Sequence, residues 1–171
     1  MLLAVFSDSH GNAVHMLAAV EQYQPDCVLF LGDGVRDAEL VRRRFPAPAY
    51  IILRGNCDHD PAIPLARTLP LPYGHKALVV HGHRYLSGDF PQNLVDTAKA
   101  DGADLVLFGH LHVRMDRYTD GIHLFNPGSA AQPRDQFAPS YGLVDIMESG
   151  ILTSHGELQR TPAPFDDMFT L

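Results

Sequence analysis

Leu2-Leu3-Ala4-Val5-Phe6-Ser7-Asp8-Ser9-His10-Gly11-Asn12 sets two textures back to back: an unbroken apolar run, then small, polar and ionisable residues. The apolar run suits a short strand buried on both faces, as in a parallel sheet covered on each side. The same succession recurs downstream. Cys27 to Leu31 leads into Gly32-Asp33-Gly34, and Ala49 to Leu53 into Arg54-Gly55-Asn56-Cys57-Asp58. Lys76 to Val80 leads into His81-Gly82-His83, and Leu105 to Phe108 into Gly109-His110-Leu111-His112. All five strands are thus followed by Asp, His or Asn beside a Gly.

Amphipathic stretches at Ala13 to Gln22, Asp37 to Phe45 and Phe90 to Ala100 read as helices between these strands. Strands alternating with helices predict βαβ units and a parallel sheet. Ala62 to Pro72 is Pro-rich and reads as irregular chain with room for one short strand. From Arg114 the texture turns all-β, with strands predicted at Arg114 to Thr119, Ile122 to Phe125, Tyr141 to Met147 and Ile151 to Glu157. The stretch Thr161 to Leu171 reads as poorly ordered. No internal repeat or linker divides the chain. The expectation is one α/β domain over residues 1–171, with two packed mixed β-sheets flanked by helices.

A length of 171 residues with 46% apolar and 19% charged residues suits a globular domain with a sizeable core. The net charge of −7 lacks the basic footprint that a nucleic-acid backbone demands, which argues against long nucleic acids. Cys27 lies inside an apolar run and reads as a small buried hydrophobe, and two cysteines make no disulfide framework. No basic leader with a longer apolar stretch and a cleavage site is visible. No apolar run approaches the roughly 18 residues of a membrane span. The expected compartment is the cytoplasm.

Each polar cluster has a bland reading when taken alone. Asp-Ser-His-Gly-Asn, Gly-Asp-Gly and Gly-Asn are turn or helix-cap sequences, and His81 could be a half-buried strand-end residue. His110 and His112 could chelate one ion together if the segment stays extended, because alternate residues of extended chain face one way. Turn chemistry does not explain why all five clusters carry metal-ligand side chains. In open α/β sheets ligands bind at the carboxyl ends of the strands, so the clusters would meet on one rim. Asp8, His10, Asp33, Asn56, His81, His110 and His112 are too many donors for one tetrahedral site. They fit two divalent cations bridged by Asp33. A carboxylate and imidazole set suits manganese, zinc, iron or nickel rather than calcium. Such a pair can clamp a phosphoryl group and supply a nucleophile at neutral pH.

The order Asp8-x-His10, Gly32-Asp33, Gly55-Asn56, His81 and Gly109-His110-x-His112 resembles the calcineurin-like metallophosphoesterase superfamily. The resemblance runs from residue 2 to about residue 146 and includes the Asn126-Pro127-Gly128-Ser129 turn of its small members. The opening motif and short length resemble the compact YfcE-like phosphodiesterases, which are close in fold to Vps29. The resemblance implies a four-layer α/β/β/α sandwich and two divalent metal ions, manganese first and zinc, nickel or iron as alternatives. Asp8, His10 and His112 would hold one metal and Asn56, His81 and His110 the other, with Asp33 bridging. A hydroxide bridging the two metals would attack the phosphorus of a small phosphate ester in line with the leaving oxygen.

Asn12 would orient the substrate phosphate, and Asp58 and His83 would orient the ligands by hydrogen bonding. The superfamily has His after Gly-Asn, thought to protonate the leaving group; here Cys57 stands there, as in the YfcE-like branch. Cys57 reads either as a weak acid or substrate contact, or as filler beneath the metals. His59 is a second candidate acid. Arg36, Arg54 and Arg84 are the basic residues near the expected rim. The expected activity is hydrolysis of a phosphodiester. The alternatives are a phosphomonoesterase on the same site and a non-catalytic Vps29-like scaffold. Small members assemble as homodimers or homotetramers, and the resemblance extends that expectation here.

Overall fold

The computed structural model describes residues 1–157. The expectation of poor order at Thr161 to Leu171 lies outside these residues. The elements run β1 Leu2–Phe6, α1 Val14–Tyr23, β2 Cys27–Phe30, α2 Val35–Arg44, β3 Ala49–Ile52, β4 Ala66–Pro70 and β5 Lys76–Val80. They continue as α3 Gln92–Asp101, β6 Leu105–Phe108, β7 Arg114–Thr119, β8 Ile122–Pro127, β9 Ser140–Met147 and β10 Gly150–Glu157. Short 3-10 turns occupy Pro72–Gly74 and His83–Tyr85.

Among the described residues, ten strands form two five-stranded sheets, ordered β10-β9-β1-β2-β3 and β4-β5-β6-β8-β7. Within the first, β1, β2 and β3 are parallel and β9 and β10 antiparallel. Within the second, β5, β6 and β8 are parallel, with β4 and β7 antiparallel on the two edges. Side chains alternate across a strand, and the apolar runs use this to feed two layers each. Leu3, Val5, Leu29, Ala77, Val79, Leu105, Leu107 and Phe125 fill the space between the sheets. Ala4, Phe6, Val28 and Phe30 face outward onto Met16, Ala19 and Val20 of α1 and Ala38 and Val41 of α2. Leu78, Val80, Val106 and Phe108 face the other way, onto Leu94, Val95 and Ala98 of α3. The four-layer sandwich follows, with no polar face left on the central strands.

Three boundaries move by two residues from the sequence reading, and several others by one. Helix α2 starts earlier, at Val35, because Gly34 takes φ 145° and turns the chain into the helix at once. Helix α3 starts later, at Gln92, after Pro91, whose ring removes a backbone donor and suits only a helix entry. Strand β8 runs on to Pro127 because the whole Ile122–Pro127 stretch is buried and paired to β7. The Pro-rich segment does hold one strand, β4, on a sheet edge where Pro70 is tolerated. Cys27 is buried as expected, and burial pushes its thiol up to about 11. Among the described residues no helix is long and apolar enough to cross a membrane.

Candidate metal centre

The turns that follow β1, β2, β3, β5 and β6 meet at one rim of the sandwich. Five of the seven expected donors have left-handed backbone: Asp8 φ 56°, His10 φ 44°, Asp33 φ 61°, His110 φ 66° and His112 φ 58°. Such a conformation is strained for a residue with a side chain and collects at functional sites. The glycines beside these donors explain how the turns fit together. A Cβ on Gly55 would overlap the Asp33 carboxylate, and a Cβ on Gly109 would overlap the Ser7 hydroxyl and crowd Asp8.

Two donor groups result. Asp8, His10 and His112 form one, and Asp33, His81 and His110 the other. In the first, His112 Nε2 lies 3.2 Å from Asp8 Oδ1 and 3.3 Å from His10 Nε2. In the second, His81 Nε2 lies 3.4 Å from Asp33 Oδ2 and 3.2 Å from Asn56 Oδ1. Asp33 also falls within a cluster containing His10, and His81 Nε2 lies 3.9 Å from Asp8 Oδ1. The groups are therefore adjacent, with Asp33 between them.

This arrangement fits divalent cations. Donors about 2.1 Å from one ion, at angles near 90–110°, stand roughly 3.0–3.4 Å apart; the four closest pairs match this, while His10 Nε2 and Asp8 Oδ1 stand wider, at 3.9 Å. Asp8 Oδ1 is buried, yet no hydrogen bond satisfies it, an expensive state for a carboxylate oxygen in the absence of a cation. His81 Nδ1 lies 2.9 Å from the Leu31 carbonyl and His112 Nδ1 2.6 Å from the Gln132 carbonyl. Each bond places the proton on Nδ1 and leaves Nε2 as a free donor, the arrangement of a metal-ligating imidazole.

The charges are consistent with the geometry. Burial opposes ionisation of Asp33, but hydrogen bonds from His81 and the Cys57 amide outweigh it and hold the carboxyl well below the usual range. Burial likewise works against a charged His81, and Asp33 with Asp8 reverses the balance, so its pKa is raised. The pKa of His112 is raised the same way, burial being outweighed by Asp8. His110 and His83 are lowered, by burial first and then by the nearby His81.

The shared-ion reading of His110 and His112, which required extended chain, gives way to the split that the family resemblance implies. His110 and His112 do not form a chelating pair. Left-handed backbone at both positions breaks the extended geometry and sends His110 to Asp33 and His81, and His112 to Asp8 and His10. The reading of Cys57 as buried filler also fails, because the residue is exposed. Its thiol receives a bond from Asn56 Nδ2 at 3.3 Å and is pushed up to about 11, first by its hydrogen bond with Asp33.

Asp58 accepts the amides of Asp33 at 2.7 Å, Gly34 at 3.1 Å, Val35 at 3.0 Å and Gly55 at 2.9 Å, tying two donor turns together. Asn12 stands exposed, its Oδ1 accepting the Val14 amide at 3.2 Å. His83 is half-buried, 6.1 Å from His110 between ring centres, and its Nδ1 has no partner. His59, Arg36 and Arg84 are exposed. Arg54 is committed to structure, its Nε donating to the Ile63 carbonyl at 3.0 Å.

Two supports escaped the sequence reading. Buried Asp37 accepts the Ser9 hydroxyl at 2.5 Å and the Gly11 amide at 2.8 Å, and so shapes the Asp8–His10 turn. A carboxylate on the apolar stripe of α2 was the available signal. Ser129 donates to the Asp8 carbonyl at 2.7 Å. Its turn was visible in the sequence, its contact was not.

The family model for the calcineurin-like phosphoesterase superfamily domain matches residues 1–149. The chain belongs to this superfamily. The probable metallophosphoesterase YsnB of Bacillus subtilis is 31% identical over 147 residues, which is 85% of each chain. Phosphodiesterase YfcE of Escherichia coli is 28% identical over 152 residues, covering 84% of this chain and 78% of that one. The kinship with the YfcE-like branch, read from the motifs, holds. Among solved structures, a predicted phosphoesterase from Streptococcus pneumoniae superposes with a TM-score of 0.77 at 26% identity, over 94% of this chain and 93% of its own. Vps29 from Entamoeba histolytica, solved with zinc, superposes at 0.74 over 93% of this chain and 100% of its own. At 18% identity that likeness concerns the fold alone.

Proposed function

We propose that this metallophosphoesterase-family chain hydrolyses a small phosphodiester at the rim where the two donor groups meet. Asp8, His10 and His112 would hold one divalent cation and Asn56, His81 and His110 a second, with Asp33 between. The observation that carries the reading is the pair of adjacent donor groups, Asp33 of one also clustering with His10 of the other, with Nδ1 of His81 and His112 already committed to carbonyls. Bound cations, manganese being the first expectation, would polarise the phosphoryl oxygen and lower the pKa of water.

The chain supplies position. Asp58 fixes the Asp33 turn, Asp37 fixes the Asp8–His10 turn, and the glycines let these turns approach closely. Such preorganisation puts charge where it develops in the transition state without reorganisation during the reaction. Asn12, exposed next to the His10–Gly11 turn, is the residue assigned to orient the substrate phosphate. A neutral thiol is a weaker acid than the imidazolium found at this position elsewhere in the superfamily, so the leaving oxygen would receive little acid assistance from Cys57. Esters with acidic leaving groups, aryl esters above all, should therefore react best.

The Vps29 likeness keeps a scaffold in view, since that protein also carries zinc in its structure. A scaffold has no need of a complete donor set, and all seven positions are filled here. The test is to strip the protein with a chelator and assay an aryl phosphodiester and an aryl phosphomonoester with manganese, zinc, nickel or magnesium restored. Activity should return with metal and vanish in Asp33→Asn and His110→Ala. Metal binding without hydrolysis of either ester would favour the scaffold.

A further inference from the structure

The segment between β8 and β9 touches one donor group far more than the other. Ser129 donates to the Asp8 carbonyl, and the Ala130 amide donates to the Ser7 carbonyl at 3.0 Å. The Gln132 carbonyl receives His112 Nδ1, and the Arg134 amide donates to the His112 carbonyl at 2.8 Å. His112 is thus gripped by this loop at both its ring and its main chain. Toward the other group's turn, Asn126 Nδ2, near the end of β8, donates to the Gly109 carbonyl at 2.9 Å.

Arg114 meets the loop at several points, although its Nη2 is buried without a partner. Its main-chain amide donates to Asp135 Oδ2 at 3.0 Å, and its Nε lies 3.6 Å from the same oxygen. Its Nη1 donates to Glu157 Oε1 at 3.1 Å. The guanidinium carbon sits 3.7 Å from the centre of the Phe137 ring, and the Arg114 stem, with the Ser140 hydroxyl, occupies the space that a Cβ on Gly128 would need. The side chain is only 13% exposed. One residue therefore joins β7, both ends of the loop and β10.

We propose that Arg114 is a positioning residue for the Asp8–His10–His112 group, acting through the 128–139 loop on the Gln132 carbonyl that orients His112. This rests on the functional reading above. A planar guanidinium can stack on Phe137 and reach Asp135 and Glu157 together, which an ammonium cannot. Partners that orient a ligating imidazole are commonly worth ten- to a hundredfold in metal affinity. A general loss of stability would weaken both donor groups alike. A loop that grips only His112 and Asp8 should weaken one.

The experiment is a titration of the metal-free full chain with cobalt(II), followed by visible absorption and calorimetry, for the wild type, Arg114→Met and Arg114→Lys. In Arg114→Met one of two cobalt equivalents should bind about ten- to a hundredfold more weakly while the other is unchanged, with Arg114→Lys intermediate. If Arg114→Met does not fold, Phe137→Ala and Asp135→Asn carry the same expectation. Unchanged binding of both equivalents, or a parallel weakening of both, would overturn the proposal. A wild type that binds no cobalt would overturn it together with the functional reading. A one-site loss in a protein that hydrolyses no ester would uphold the proposal and sink only the phosphodiesterase.

Discussion

Asp58 offers the sharpest test of how the centre is held. One carboxylate accepts four backbone amides, with Asp33 and Gly55 on Oδ2 and Gly34 and Val35 on Oδ1. Three of these amides open helix α2, so the negative charge also faces the positive end of the helix dipole. Hydrogen bonds to a charged group are worth about 1.5–3 kcal/mol each, and water recovers part of that at a half-buried site. Asp58→Ala should therefore cost about 3–4 kcal/mol in all. For a chain of this size that corresponds to roughly 6–16 °C in melting temperature.

Asp58→Asn is the decisive variant. Its oxygen can serve one pair of amides, but its NH2 group then points donor to donor at the other pair. The amide should rescue little, although it is nearly isosteric. The assay is thermal and urea unfolding of the chelated protein, paired with kcat/KM on an aryl phosphodiester after manganese is restored. A loss in Asp58→Asn below about 1 kcal/mol would refute the argument, because it would mean that the four bonds do not act as a charged hub.

Gly55→Ala should fold but lose at least about a hundredfold in kcat/KM, since its Cβ displaces the Asp33 carboxylate and misplacements near 1 Å cost that much; near wild-type kinetics would contradict the close approach. Cys57→His should raise turnover of alkyl and monoester substrates more than of aryl diesters, because an imidazolium is the stronger acid at neutral pH; an unchanged substrate profile would remove Cys57 from the account of specificity. Manganese at about a hundred times its dissociation constant should stabilise the fold by about 2.7 kcal/mol per ion, raising the melting temperature by roughly 5–10 °C, and Asp33→Asn should abolish most of that rise. Protons compete for His81 and His112, whose pKa values are raised because Asp33 and Asp8 outweigh burial. Metal affinity should accordingly climb as pH rises from about 6 to 8, with protons released on binding; calorimetry in buffers of differing ionisation enthalpy would show no proton release if the rings were already neutral.

The sandwich was legible because its central strands are buried on both faces, and such strands leave a short unbroken apolar run, as at Cys27 to Leu31, where a one-sided strand would alternate. The convergent Asp, Asn and His side chains were legible because each cluster of them, with a Gly among its members, comes just past such a run. Direction was not legible. Whether His110 and His112 share an ion depends on backbone φ at both residues, and sequence spacing alone does not encode it. Supports that act through the main chain were hidden for a similar reason. Asp37 sits on a helix facing a turn 26 to 28 positions earlier, and Ser129 reaches Asp8 across 121 positions. Such pairings become visible only when the sheets are laid together. The edge strand β4 was half legible, since Pro in its segment reads against a strand everywhere except at an edge.

The two sheets share the donors between them. Asp8, His10, Asp33 and Asn56 follow strands of one sheet, and His81, His110 and His112 follow strands of the other. Neither half-sandwich can assemble either donor group alone, because each group draws on both. If the donor groups hold cations as proposed, capture would follow docking of the sheets, as a late event in building the molecule rather than its template. Metal would act as a lock on a finished structure: a chain starved of it should still reach its native shape, but open more readily along the seam between the sheets.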